Sequence, residues 1–212
     1  SANDALLNYD TSNDPEKKRA YLTIALAQLK RLGELVENIL AMSMERRKTM
    51  TLKPEKIDLG ALAREIAEAQ RLRADKDISI DVDAPHEVIV TADKPHLSNV
   101  LNNLVDNAIK YSGDCVAIRL SIREDSIEVA DNGIGIPQKS LPFIFDKFYR
   151  VPHGNRQDVR GYGIGLYYAR HVLEKMGWHI SVKSREGQGT VFTIRCKNNI
   201  GVTPLDISTD KK

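Results

Sequence analysis

From residue 58 to residue 197 the sequence alternates helical periodicity with pairs of short period-two runs, and this alternation limits the fold more than any other feature. Apolar residues recur at helical spacing over 58–74, 93–110 and 164–176. Residues 78–83, 87–91, 115–123, 126–131, 178–184 and 191–197 alternate apolar with polar side chains, the mark of strands with one buried face. Glu124-Asp125 and Gly187-Gln188-Gly189-Thr190 fall between strand pairs, where turns are needed. A helix followed by two strands, repeated in that order, predicts an α+β sandwich with a largely antiparallel sheet covered by helices on one face. It excludes a doubly wound parallel sheet.

Residues 14–45 carry a different signal. Leu22, Ala25, Leu29, Leu32, Val36, Ile39 and Ser43 recur at spacings of three and four, and Leu26, Leu35 and Leu40 widen the stripe into a bundle face. Asp14 suits an N-cap and Pro15 the first helical position. Ala5, Leu6 and Leu7 read as the last turn of a preceding helix, with Asn8 to Asn13 as its exit loop. So wide an apolar face needs partner helices. The expected organisation is a truncated helical region over 1–50, a linker over 51–57, the α+β unit over 58–197 and a flexible tail over 198–212.

Charge narrows the function classes. Lys plus Arg is 31 against 29 for Asp plus Glu, so nothing demands a nucleic acid or an acidic membrane surface. No run approaches the ~18 apolar residues of a membrane span. Ser1 to Asp10 lacks the basic start and apolar stretch of a signal peptide. The chain is expected to be soluble and cytoplasmic, with any membrane span upstream in a parent protein. Cys115 and Cys196 read as reduced packing residues.

Four clusters could carry chemistry. Asn103 and Asn107 lie four apart on one helix, so their amides share a face, with Lys110 and Tyr111 a turn later. Neutral amide oxygens suit Mg²⁺ held mainly by phosphate and water; the same pattern also fits a solvated polar face. Asp131-Asn132-Gly133-Ile134-Gly135-Ile136-Pro137 follows a strand, so its backbone can approach a ligand while the carboxylate accepts from an exocyclic amine. A tight turn would look alike. Gly161-Tyr162-Gly163-Ile164-Gly165-Leu166 opens a helix, where free N–H groups favour phosphate, yet it is neither a P-loop nor a dinucleotide fingerprint. Gly187 to Thr190 alone is a hairpin turn. Between the second and third clusters, Phe143 to Arg150 combines aromatic anchors with Lys147 and Arg150, two cations suited to phosphate.

Taken in order, these motifs resemble the ATP-binding catalytic domain of bacterial sensor histidine kinases. Residues 103–112 match the N-box, 131–137 the first glycine box, 144–150 the F-box and 161–166 the second glycine box, with 187–190 closing the set. The likeness covers about residues 58–197, and 14–45 is similar to the second helix of the dimerisation and phosphotransfer hairpin. The resemblance implies a Bergerat-type fold, a mixed sheet packed under three helices, holding ATP and Mg²⁺. It implies that Asp131 accepts from the adenine amino group, that Gly133, Gly135 and Ile136 border the base, and that Tyr111 lies near it. It puts Asn107 on the metal and Asn103, Lys110 and Arg150 near phosphate. Gly161, Gly163, Ile164, Gly165 and Leu166 would wrap the phosphates, Thr190 would complete the site, and Val151 to Arg160 would be a lid.

The family's acceptor is a histidine followed by an acidic residue and, five positions on, a proline. None of the five histidines fits: His86 precedes Glu87, but Thr91 stands at the fifth position. The acceptor is therefore expected before Ser1, with the phosphoryl group passing on to a response-regulator aspartate and homodimerisation through the hairpin. The rival readings are another ATPase of this fold, or a non-catalytic dimerisation module. The related ATPases use an N-box Glu to activate water, and no Glu lies between Asp93 and Glu124.

Overall fold

The computed structural model of the chain describes residues 19–26, 28, 51–73, 77–151 and 163–196. The chain divides into two compact units, Ser1–Met50 and Thr51–Lys212. In the first, residues 19–26 are helical, with Leu22, Ile24 and Leu26 about half exposed. The rest of the expected 14–45 helix, all but Val151 of the expected lid, Gly161, and the expected tail lie outside the described residues.

The second unit opens with a strand, β1 (Glu55–Asp58), inside the stretch expected to be linker. It pairs antiparallel with β3 (Ile89–Ala92) as a separate two-stranded ribbon. Asp58 then turns the chain into α1 (Leu59–Arg73), its Oδ1 accepting from the Gly60 N–H at 2.8 Å. After β2 (Ile78–Asp83) and β3, Asp93 starts α2 (Lys94–Lys110), with Pro95 in its first turn. A hairpin follows, β4 (Val116–Arg123) and β5 (Ser126–Asp131), turning at Glu124-Asp125 as expected. A 3-10 helix (Gln138–Phe143), α3 (Gly165–Lys175), β6 (His179–Arg185) and β7 (Gly189–Arg195) complete the order. Gly189 and Thr190, expected in the last turn, already belong to β7.

The main sheet runs β2-β4-β5-β7-β6. Only β2 and β4 are parallel, so the sheet is mixed and largely antiparallel, as expected. The consecutive strands β2 and β3 do not form a hairpin. The route from β2 to β4 passes through β3 and α2, which gives a parallel neighbour the long crossover it requires. Val116, Ile118, Leu120 and Ile122 of β4 and Ile127 and Val129 of β5 are buried on one face. Leu59, Leu62 and Ile66 of α1 and Leu97, Leu101, Leu104 and Val105 of α2 are buried likewise. On the other sheet face Arg119 meets Asp81 at 3.3 Å and Arg123 meets Asp83 at 2.6 Å, exposed pairs of little energetic weight.

Cys196 is buried, and its thiol is pushed up to about 12 by burial and by the nearby Asp125. Cys115 is exposed rather than packed, because it precedes β4 instead of lying within it. Both are free thiols.

Asp93 ties the second unit together at the start of α2. Its Oδ1 accepts from His96 N at 3.0 Å, and its Oδ2 from Lys53 N at 2.8 Å. Burial alone would raise its pKa, but these two backbone donors and the nearby positive charge leave it below the ordinary carboxylate value. A lowered folded pKa stabilises the fold fully above the unfolded value, and that contribution is lost as pH falls through the folded one. Asp93→Ala is expected to lower stability by about 1–2 kcal/mol at neutral pH. Urea unfolding between pH 2.5 and 7 should also show a shallower acid-side loss than in the parent protein.

Candidate functional site

Asp131 ends β5, the middle strand of the sheet, opposite Ile118 of β4 and Thr190 of β7. That register brings the Thr190 N–H to its Oδ1 at 3.2 Å. The chain turns at once, and the Gly133 N–H reaches the same oxygen at 2.8 Å. Oδ2 takes no hydrogen bond from the described residues. The carboxylate is half-buried. Burial pushes its pKa up, while the Gly133 and Thr190 donors hold it back. One oxygen is thus fixed, and the other is left as an acceptor aimed by the first.

Glycines make this geometry possible. A Cβ at Gly133 would lie 2.8 Å from both Asp131 Oδ1 and the Tyr111 carbonyl oxygen. Gly189 has a φ of +90°, and a Cβ there would come within 2.0 Å of the Asp131 carbonyl oxygen. Gly135, at φ +69°, packs against the Arg185 carbonyl. The Ile134 N–H donates to the Tyr111 carbonyl at 3.0 Å, which joins the first glycine cluster to the end of α2.

Ser184, not singled out from the sequence, joins the surroundings of Asp131. Its Oγ accepts from Ile136 N at 2.8 Å, donates to the Gly189 carbonyl at 2.8 Å and lies 2.9 Å from Thr190 Oγ1. It faces Thr190 across the β6–β7 register. A serine three positions before Gly187, on the strand entering the turn, was the available signal.

On α2, Asn103 and Asn107 are half-buried. Asn103 lies against the start of α3, where a Cβ on Gly165 would sit 3.4 Å from its Oδ1. Gly163, at φ +71°, accepts from the Phe148 N–H at 3.0 Å through its carbonyl. The segment after the 3-10 helix is anchored by Phe145, edge-on to Phe192 of β7 at 6.4 Å, and by Phe143 beside Tyr149 at 5.7 Å. Tyr168 joins α3 to α2 through a 2.8 Å contact with His96 Nδ1. Ile164 is buried, and Leu166 is half-buried on α3. Lys110, Tyr111 and Arg150 are exposed.

Two regions therefore emerge: Asp131, Gly133, Gly135, Ile136 and Thr190 around a carboxylate, and Asn103 beside the first turn of α3. Tyr111 connects them through its backbone. Among the described residues no group of three or more His, Cys, Asp or Glu is placed to hold a metal, and no helix is long and apolar enough to cross a membrane.

Comparison with known proteins gives this geometry a context. Residues 92–200 of the 212 match the family described as histidine kinase-, DNA gyrase B-, and HSP90-like ATPase. Sensor protein RprX of Bacteroides fragilis is 36% identical over 176 residues, 79% of this chain and 34% of that protein. Sensor histidine kinase YkoH of Bacillus subtilis is 33% identical over 147 residues, 68% of this chain and 32% of that protein. The chain thus spans about a third of the length of these curated relatives. Full-length ShkA, crystallised in complex with AMPPNP, matches 84% of this chain and 38% of its own, with a TM-score of 0.67 and 26% identity. The nucleotide-free catalytic domain of histidine kinase ThkA matches 68% of this chain and 95% of its own, with a TM-score of 0.55 and 25% identity.

Removing the charge of Asp131 separates folding from recognition. A raised folded pKa means that the stability contribution is present below the unfolded value and lost as pH rises through the folded one. Asp131→Asn keeps an Oδ1 acceptor and removes the desolvated charge. Its midpoint in urea at pH 7 is expected to equal or exceed that of the parent protein. Gly189→Ala is expected to cost about 1–3 kcal/mol in the same assay, because its Cβ meets the Asp131 carbonyl.

Proposed function

The chain belongs to the histidine kinase-, DNA gyrase B- and HSP90-like ATPase family, and from this we propose that it is the ATP-binding catalytic part of a sensor histidine kinase. The observation that carries the reading is Asp131, a half-buried carboxylate with one oxygen bound by two backbone N–H groups and the other taking no hydrogen bond from the described residues. Adenine offers such a donor in its exocyclic amine. Oδ2 accepts from that amine, Gly133, Gly135 and Ile136 border the base, and Tyr111 lies beside it.

The triphosphate extends from the base toward α2 and the start of α3. The backbone N–H groups of Gly163, Ile164, Gly165 and Leu166 meet phosphate oxygens at a helix start. Asn103, Lys110 and Arg150 supply further donors and positive charge, and Gly161 and Thr190 complete the set. Asn107 gives a single neutral oxygen, which fits Mg²⁺ held mainly by the nucleotide's own phosphates, and the ion would neutralise charge on those phosphates.

The reaction is transfer rather than hydrolysis. A water-activating Glu is missing from α2, since none lies between Asp93 and Glu124. In the whole protein a histidine nitrogen attacks the γ-phosphorus, the bond to the ADP oxygen breaks, and cationic groups stabilise the spreading charge. The phosphoryl group then passes to an aspartate of a response regulator, and the dimer forms through the helical region. None of the five histidines here has the acceptor pattern. Anchoring in the membrane belongs to segments outside this sequence.

Calorimetry should show ATP–Mg²⁺ binding by the parent protein and a loss of about 10- to 100-fold in Asp131→Asn, where an amide donor can turn toward the adenine amine. Unchanged affinity would refute the adenine assignment. With γ-labelled ATP the chain should take up no alkali-stable, acid-labile label. Such label would relocate the acceptor into this sequence.

A further inference from the structure

Outside the nucleotide contacts, one long polar side chain is almost fully enclosed between two helices. Gln70, on α1, is only 4% exposed. Its Nε2 donates to Asn102 Oδ1 at 3.1 Å and to Asp106 Oδ1 at 2.8 Å, so both amide hydrogens are used. A carboxylate accepts only, which fixes the orientation of the Gln70 amide. Asn102 is held in turn, its Nδ2 donating to the Ser98 carbonyl at 2.9 Å.

The two acceptors stand one helical turn apart on α2. Each immediately precedes one of the asparagines already singled out: Asn102 before Asn103, and Asp106 before Asn107. Successive helical residues differ by about 100° around the axis. A clamp on the first pair therefore sets the direction of the second. The apolar contacts of α2 through Leu97, Leu101, Leu104 and Val105 choose which face is buried, while directional bonds set the finer roll. Among the described residues the other polar side-chain tie from α1 to α2, Lys94 to Glu65 at 3.5 Å, is exposed and weak. A roll of about 10° would move an amide oxygen at the helix rim by about 1 Å, enough to spoil a binding geometry.

We propose that Gln70 is a positioning residue that fixes the roll of α2 and so aims Asn103 and Asn107 at the metal-bound phosphates. This rests on the reading of α2 as the ATP–Mg²⁺ helix. Gln70 itself touches no nucleotide.

Reciprocal exchange tests it. Gln70→Glu sets two carboxylates against each other. Combining it with Asp106→Asn restores a hydrogen bond with donor and acceptor exchanged. Affinity for AMPPNP is measured by calorimetry in Mg²⁺ and in EDTA, with thermal midpoints recorded alongside. Gln70→Glu is expected to weaken binding in Mg²⁺ by about tenfold, to weaken it in EDTA by no more than about threefold through Asn103, and to be restored to within about threefold in the double variant. Gln70→Met, which removes the donors without adding charge, should show the same metal-selective loss and serves if Gln70→Glu does not fold. Unchanged affinity in these variants overturns the proposal. So does an equal loss in Mg²⁺ and EDTA that follows the thermal midpoint and is not rescued. A parent protein that binds no AMPPNP defeats the underlying reading of the site, whereas a parent that binds beside unaffected variants defeats the positioning role alone.

Discussion

The Asp131 carboxylate is held at the end of the central strand by two backbone N–H groups that converge on a single oxygen. This arrangement sets the demands on its surroundings. The Thr190 donor requires β7 to lie beside β5 in one register. The Gly133 donor requires the chain to fold back within two residues, a bend that leaves no room for a Cβ. Gly189 meets the same limit from the other side, at the Asp131 carbonyl. The glycines of these clusters thus make room around a carboxylate.

Outward from Asp131 the contacts continue as a chain of directional bonds. Ser184 ties the first glycine cluster to the β6–β7 turn, and the Tyr111 carbonyl ties it to the end of α2. Gly163 docks on Phe148, and Gly165 on Asn103, so the start of α3 is fixed by two different elements. Asp93 and Gln70 hold α2 from its N-terminus and its flank. Apolar burial supplies most of the favourable energy of such a fold, while these bonds decide where the polar groups point.

Much of this was legible in the sequence because buried faces impose period. Alternation located β2, β4, β5, β6 and β7 within a residue or two, and the Asp-x-Gly-x-Gly order of residues 131–135 singled out the end of β5. β1 was not legible: a four-residue ribbon after Pro54 buries only Ile57 and shows no pattern. The pairing of β2 with β4 was hidden too, since period two identifies a strand and says nothing of its neighbour. Ser184 and Gln70 escaped for the same reason. A lone polar residue acquires meaning only through distant partners, Thr190 across a hairpin or Asp106 on another helix.

The most direct measurement compares ATP with inosine triphosphate, which carries an oxygen where adenine carries its amino group, binding to the parent protein in Mg²⁺. An acceptor carboxylate at Asp131 should disfavour the inosine nucleotide by about 10- to 100-fold in calorimetric affinity. Equal affinities would mean that Asp131 does not recognise the base, and would contradict the assignment on which the site is built.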